Sequence, residues 1–289
     1  MPELPEVEVV KRSLKKKIQK LIIKRVKIID GNLRYKVNHH AISKLTGKKI
    51  NKIKRRSKFL IFELSNEIFI LTHLGMTGKF FFVDKKNNKL KTSFYYNNYQ
   101  KKDNKHDRIV FYFNNDQKLI YNDVRKFGFI KVFDRKQYNN NSHFKKLGPE
   151  PLENSLNSNY FKNYIVGRNR TIKDILMDQK CISGLGNIYV NEILFLSGVK
   201  PLRKVEKLNN FEIKKIIKNT KLILKSSIKL GGSSIKDFSS DDGKKGDFQQ
   251  NFRVYGRSGK KCSNTDCNKS IIRTVISNRA SFFCNNCQK

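Results

Sequence analysis

IKDILMDQKCISGLGNIYVNEILF, residues 172–195, carries Ile172, Ile175 and Leu176 at helical spacing, breaks at Ser183-Gly184-Leu185-Gly186, and resumes a helical period from Ile188. It reads as helix, glycine-marked turn, helix. Gly184 and Gly186 let the backbone approach closely, Asn187 suits the N-cap of the second helix, and that helix start offers free N–H groups to an anion. The stretch also belongs to a chain of two characters. Before it, LIIKRVKIID (21–30), FLIFEL (59–64), EIFILT (67–72), RIVFYF (108–113), KLIYND (118–123) and FGFIKVF (127–133) are short, rich in β-branched and aromatic residues, and separated by turn-formers. Their spacing predicts an antiparallel sandwich or flattened barrel. Around and after it, YFKNYIV, TIKDILMDQK, NIYVNEILFLSG and FEIKKIIKNTKLILKSSIKL all have helical period. The fold class expected is therefore α+β and multidomain.

The stretch 134–155, with its Asn run and prolines, is the linker candidate. The expected division is a β domain over 1–133, a helical domain over 156–250 and a cysteine module over 251–289. Residues 84–105 are polar, basic and of low complexity, and are expected as a surface loop or partly disordered insert.

Lys and Arg number 62 against 24 Asp and Glu, a net charge of +38. That excess predicts a polyanionic partner whose phosphates release counterions on binding. Part of it reflects a general enrichment in Lys, Asn, Ile and Phe, so a single surface lysine is read as solvated. No run approaches the ~18 apolar residues of a membrane span, and no apolar segment of a signal peptide opens the chain. A cytoplasmic location without membrane contact is expected.

Four of the five cysteines close the chain: Cys262 and Cys267 in CSNTDC, Cys284 and Cys287 in CNNC. Two close pairs of thiolates can meet around one Zn²⁺, which then supplies folding energy that so short a segment cannot draw from a core. Four thiolates leave no open coordination position, so the zinc is read as structural. Arg273 and Arg279 lie between the pairs and would project from a rigid tip toward phosphate. Cys181 reads as a core residue. Two turns, HLGMTGKF (73–80) and YNDVRKFG (121–128), place Met76 and Phe127 where polar residues are usual, with Arg125 beside them. Such side chains either pack inward or act as wedges in a base stack.

The N-terminus reads MPELPEVEVV. Pro5 suits a first helical turn, Glu6 and Glu8 suit the positive end of a helix dipole, and Val7, Val10, Leu14 and Ile18 keep helical period. Pro2 and Glu3 need another reason. A penultimate proline is compatible with removal of Met1, which leaves Pro2 as a free secondary amine. With a pKa near ~8, roughly a tenth of it is unprotonated at pH 7, against about 0.04% for a lysine. Such an amine is a carbonyl nucleophile, Glu3 can shuttle its proton, and Glu6 can support it.

MPELPEVEVV, RRSKFLIFEL, HLGMTGKF, YNDVRKFG, LGPEPL, LMDQKCISGLGNIYVNEILF, GGSSIKDF, VYGRSGKKC and the terminal cysteines, in this order, resemble bacterial formamidopyrimidine-DNA glycosylases along the whole chain. The resemblance implies an N-terminal helix with an antiparallel β-sandwich, followed by a helix-two-turn-helix domain with a zinc β-hairpin. It implies a monomeric, bifunctional base-excision enzyme that removes 8-oxoguanine and formamidopyrimidines from damaged double-stranded DNA, then cuts the strand by β,δ-elimination.

Carried over, Pro2 forms the Schiff base, Glu3 is the acid and base, Lys58 serves β-elimination and Arg279 δ-elimination. His106, Arg125, Arg168, Lys173 and Asn187 fall on DNA-contact positions. Met76, Arg125 and Phe127 fill the gap left by the extruded base, and the loop from Gly231 closes over it. The chain departs from the family in the four-residue spacing of its first cysteine pair, in the insert at 84–105 and around Asp247, where a bulky aromatic is common. The alternatives are an endonuclease VIII-type enzyme for oxidised pyrimidines, which typically has Gly where this chain has Leu4; a non-catalytic zinc DNA-binding protein; and, on charge alone, an RNA-binding zinc protein.

Overall fold

The computed structural model describes residues 1–85, 89–91, 103–233 and 248–289. Most of the basic insert, and the loop beyond Ser233 as far as Asp247, lie outside the described residues. The chain divides into two units: Met1–Lys145 with the segment that begins at Gly231, and Lys146–Leu230 with Phe248–Lys289.

In the first unit, helix α1 (Leu4–Ile18) starts at a capping box between Glu3 and Glu6, with Pro5 in its first turn and Lys15, Lys16 and Lys17 in its last. Its period-3.6 side chains Val7, Val10, Leu14 and Ile18 are fully buried. Two antiparallel sheets follow. The five-stranded sheet runs β1 (Ile23–Ile28), β7 (Asp107–Phe113), β8 (Lys118–Asn122), β5 (Lys79–Val83), β6 (Lys89–Lys91), and the four-stranded sheet runs β2 (Ile50–Arg56), β3 (Phe59–Leu64), β4 (Phe69–His73), β9 (Phe129–Phe133). Ile109, Phe111 and Phe80 from the first meet Leu60, Phe62 and Ile70 from the second in one core that α1 completes. Phe62 and Phe80 pack edge to face across it, 6.1 Å apart. This is the expected sandwich.

The structure adds elements to that reading. Helix α2 (His39–Ser43) is capped by Asn38. Strand β2 breaks strict alternation because a register shift between Ile50 and Lys52 turns both Ile50 and Ile53 to the core. Strand β6 falls inside the insert expected as loop. The stretch expected as linker divides at Lys145. Its first part forms helices α3 (Arg135–Asn139) and α4 (Ser142–Lys145), which cover the outer face of the four-stranded sheet with Tyr138 and Phe144. Tyr138 stacks on Phe69 at 4.2 Å.

The second unit holds α5 (Ser158–Ile165), α6 (Ile172–Met177), α7 (Asn187–Ser197) and α8 (Asn210–Lys229), then the hairpin β10 (Ile272–Ile276) and β11 (Arg279–Phe283). Helix α7 is buried on nearly every face, with α6, α8 and β11 against it. It ends at Gly198 in the left-handed region. The C-terminal segment belongs with the helices for a polar reason: the buried Glu192 carboxylate accepts from the N–H groups of Arg253, Val254 and Tyr255 at 2.8–3.0 Å. Among the described residues, no helix is long and apolar enough to cross a membrane.

Candidate active site

In the first unit the N-terminal turn is buried: Pro2 is enclosed, and Glu3 and Glu6 are 3% and 1% exposed. The Glu3 N–H donates to Glu6 Oε2 at 2.9 Å. The other oxygen of Glu6 accepts from the Ser233 N–H at 2.9 Å and from its hydroxyl at 3.0 Å. Glu6 therefore joins the start of α1 to the root of the Gly231 segment. Gly232 is required there, because its φ is +84° and a Cβ would stand 3.1 Å from Glu6 Oε1.

Lys58, 7% exposed, follows the β2–β3 turn at Ser57, whose φ is +55°. Arg55 fixes this turn: its guanidinium donates to the Ser57 carbonyl at 3.0 Å and to Glu8 Oε2 at 3.0 Å. Burial pushes the Glu8 carboxyl up, but Lys11 and Arg55, by hydrogen bond and charge, hold it below the usual carboxylate range. The pair Glu8–Arg55 thus ties α1 to the Lys58 turn. In the sequence Glu8 suits only the helix dipole, and Arg55 carries no signal because its partner is 47 residues away.

The turns of Met76 and Phe127 are locked together. A Cβ at Gly75 would lie 2.4 Å from Gly128 N and from the Phe127 carbonyl carbon, so only glycine allows the crossing. Buried Asp123 accepts from the Thr77 hydroxyl and the Gly128 N–H, and Thr77 in turn accepts from the Arg125 N–H at 2.9 Å. The His106 carbonyl accepts from the Asp123 N–H at 3.0 Å, which places His106 beside this platform. Phe127 is 46% exposed, Arg125 is exposed with its guanidinium 4.7 Å from the Phe127 ring, and Met76 is half-buried. Phe127 therefore does not pack inward. Beneath the platform His73 sits against Phe59 and Phe129, and its Nδ1 accepts from the Gly75 N–H at 3.0 Å. Burial, with the charges of Lys58, Arg34 and His143, lowers its pKa to about 4, so it is neutral at pH 7. Nothing in the pattern of HLGMTGKF sets His73 apart, because its ring partners Phe59 and Phe129 lie on other strands.

In the second unit, Ser277 and Asn278 both have positive φ and close β10–β11 as a two-residue turn, immediately before exposed Arg279. Three side chains dock the following strand. The Lys173 ammonium donates to the Ala280 carbonyl at 3.0 Å and to the Ser281 hydroxyl; the Asn187 amide donates to the same carbonyl at 2.9 Å; Asn191 Oδ1 accepts from the Phe282 N–H at 2.7 Å. Lys173 is only 1% exposed, and burial, then the Arg279 charge, lowers its pKa to about 8. Its ammonium and the Asn187 amide are thus engaged by the hairpin. Gly186, not Asn187, is the N-cap of α7, which frees the Asn187 side chain for that bond. Arg168 is exposed, with its guanidinium 4.4 Å from the Tyr164 ring. Cys181 is fully buried, and burial raises its pKa to about 12, as suits an inert core thiol.

The Sγ atoms of Cys262, Cys267, Cys284 and Cys287 lie within 4.8 Å of one another. Cys262 and Cys287 are 3.8 Å apart, and Cys267 and Cys284 3.6 Å. A tetrahedron of thiolates at ~2.3 Å from a zinc ion has edges of about 3.8 Å. The four cysteines could hold a metal ion, and the donor set fits zinc.

Residues 1–130 match the family of the formamidopyrimidine-DNA glycosylase N-terminal domain, and residues 147–239 match the H2TH domain of the same enzymes. The formamidopyrimidine-DNA glycosylase of Rickettsia felis is 40% identical over 288 residues, covering 100% of this chain and 98% of its own. That of Roseobacter denitrificans is 35% identical over 289 residues, with both chains fully covered. Among solved structures, Lactococcus lactis Fpg in complex with DNA containing an abasic site superposes with a TM-score of 0.84 at 34% identity over 99% of each chain. Its complex with DNA containing N7-benzyl-Fapy-dG gives 0.84 at 33% identity over both full chains. Two family domains in order, and relatives matched over their whole length, place this chain in the formamidopyrimidine-DNA glycosylase family of base-excision-repair enzymes.

Proposed function

We propose that the chain is a monomeric, bifunctional DNA glycosylase and abasic-site lyase that removes 8-oxoguanine and formamidopyrimidines from double-stranded DNA, working at the nucleoid in the cytoplasm. The observation that carries this reading is the N-terminal turn: Pro2 stands beside Glu3 and Glu6, two carboxylates almost wholly withdrawn from water. Burying a carboxylate is costly, and a helix cap works as well on the surface.

With Met1 removed, the Pro2 nitrogen attacks C1′ of the extruded nucleotide, and the bond from C1′ to the base breaks as the base departs with a proton. Glu3 protonates the ring oxygen O4′, the sugar opens, and the amine becomes an iminium. Loss of the C2′ proton then breaks the C3′–O bond, and loss of the C4′ proton breaks the C5′–O bond. Lys58 and Arg279 serve these two eliminations and hold phosphate. Met76, Arg125 and Phe127 fill the vacated base stack from the platform that Asp123 ties together, and His106 and Arg168 contact the backbone.

Lys173 and Asn187 act at one remove: both hold the Ala280 carbonyl and so aim Arg279. Cys262, Cys267, Cys284 and Cys287 would hold one structural Zn²⁺, which contributes the folding energy of the hairpin.

Borohydride trapping on a duplex with one 8-oxoguanine opposite cytosine tests this reading. A covalent adduct is expected with the Met1-free protein and none with a form that retains Met1. Absence of an adduct from the zinc-replete, Met1-free protein would overturn it, and a stronger adduct on thymine glycol would move the substrate to oxidised pyrimidines.

A further inference from the structure

The first cysteine turn, CSNTDC, is two residues wider than the second, CNNC. Yet both place an asparagine two positions after their first cysteine, Asn264 and Asn286. In the structure each asparagine crosses to the other turn. The Asn264 amide donates to Cys287 Sγ at 3.1 Å, and the Asn286 amide donates to Cys267 Sγ at 3.6 Å. Asn264 also brings its backbone N–H to Cys262 Sγ, so one residue grips a thiol of each turn. The Lys269 N–H reaches Cys267 Sγ in the same way. Both asparagine side chains are otherwise in solvent, where the hydrophobic contacts that enclose Cys262, Cys267 and Cys284 do not need them.

Four thiolates around a divalent ion carry a net charge of −2, and amide donors pointed at sulfur disperse that charge and hold the ligands in place. An amide presented to a thiolate must offer its nitrogen, because its oxygen would be repelled. We propose that Asn264 and Asn286 form a crossed clasp that tightens metal binding and slows metal release, and that the wider first turn is what lets Asn264 reach both halves of the site. The inference rests on the zinc reading above.

The test uses the full chain as wild type, Asn264→Ala, Asn286→Ala, the double variant and Asn264→Asp. Zinc content is measured first, then zinc transfer to a chromogenic pyridylazo chelator, then the sulfur-to-metal charge-transfer band of the Co²⁺ form. Each single alanine variant is expected to release zinc about 10-fold faster, the lower end of what loss of such a partner costs in metal affinity, and the double variant faster than either. The Co²⁺ band moves to lower energy as the thiolates regain charge, which a merely structural role would not cause. Asn264→Asp keeps the shape, removes the donor and adds repulsion, so it is expected to fall below Asn264→Ala. Variants with one zinc per chain, wild-type release and an unshifted band would overturn the clasp. A wild type that holds no zinc would overturn the metal reading itself, and the clasp with it.

Discussion

The turn at Pro2–Glu6 and the hairpin tip at Arg279 stand at opposite ends of the chain, and different forces hold them. The first is the start of a helix whose apolar face, Val7 to Ile18, is sealed into a core shared by two sheets. The second is a two-stranded hairpin with only a small apolar cluster around Ile271 and Phe282, docked by Lys173, Asn187 and Asn191 and flanked by cysteines that could hold a metal ion. Hydrophobic burial is indifferent to metal and mild acid, whereas thiolates and buried cations are not. The two halves of the proposed chemistry therefore fail under different conditions.

Withdrawing the proposed zinc is the strongest way to break that contrast. Chelation, or Cys284→Ser, is expected to abolish slow hydrogen exchange in residues 272–283 and to lower the melting of the second unit by on the order of 10 °C or more. Exchange in α1 is expected to stay within about 0.5 kcal/mol of its original value, because no ligand lies in its core. Equal loss of protection at both ends would show that the hairpin's anchorage is not a separate matter.

Acid sharpens the contrast within the first unit, where the His73 ring is set against Phe59 and Phe129. Its pKa is about 4 in the folded protein against 6.5 unfolded, so the unfolded chain takes up the proton first as pH falls. The stability this group contributes is complete above pH 6.5 and is lost as pH falls toward 4, reaching about 3 kcal/mol. His73→Asn keeps an acceptor for the Gly75 N–H but cannot titrate. Urea unfolding of the variant is expected to lose this share of the pH slope between 6.5 and 4. An unchanged slope would assign acid sensitivity to the carboxylates instead.

Much of the fold is legible in the residues themselves. FLIFEL is strand β3 to the residue, and the helix, glycine turn and helix of 172–195 stand where their period puts them. The misses have physical causes. Strand β2 carries apolar residues three apart because of its bulge, which imitates no period at all. Strand β5, KFFFV, is buried on both faces and shows no alternation, so its first residues read as the end of a turn. Helices α3 and α4 each rely on one aromatic side chain, too few for periodicity.

At the proposed site, residue type alone singles out Pro2, Glu3 and the cysteines as candidates, because their chemistry is local. Lys173 shows where residue type falls short: the Ala280 carbonyl that its ammonium meets lies 107 residues away and leaves no mark in the sequence. Asp123 and Arg55 matter only through partners that the fold supplies.

The smallest effect concerns the core that fixes the N-terminal turn. Thr72 lies on the inward face of β4 beside a small cavity lined by Ile18, Ile23, Phe62, Phe80 and Phe111, and its buried hydroxyl has no hydrogen-bond partner among the described residues. A hydroxyl withdrawn from water without a partner costs free energy that an isosteric methyl does not. Thr72→Val is therefore expected to stabilise the first unit by about 1 kcal/mol, raising its melting temperature by about 2–4 °C. Thr72→Ala separates this from loss of packing: it removes the same hydroxyl but also the methyl, enlarges the cavity, and is expected to destabilise. If valine lowers the melting temperature as alanine does, the hydroxyl is satisfied by a buried water. The core that positions α1 would then be less purely apolar than the contrast with the hairpin requires.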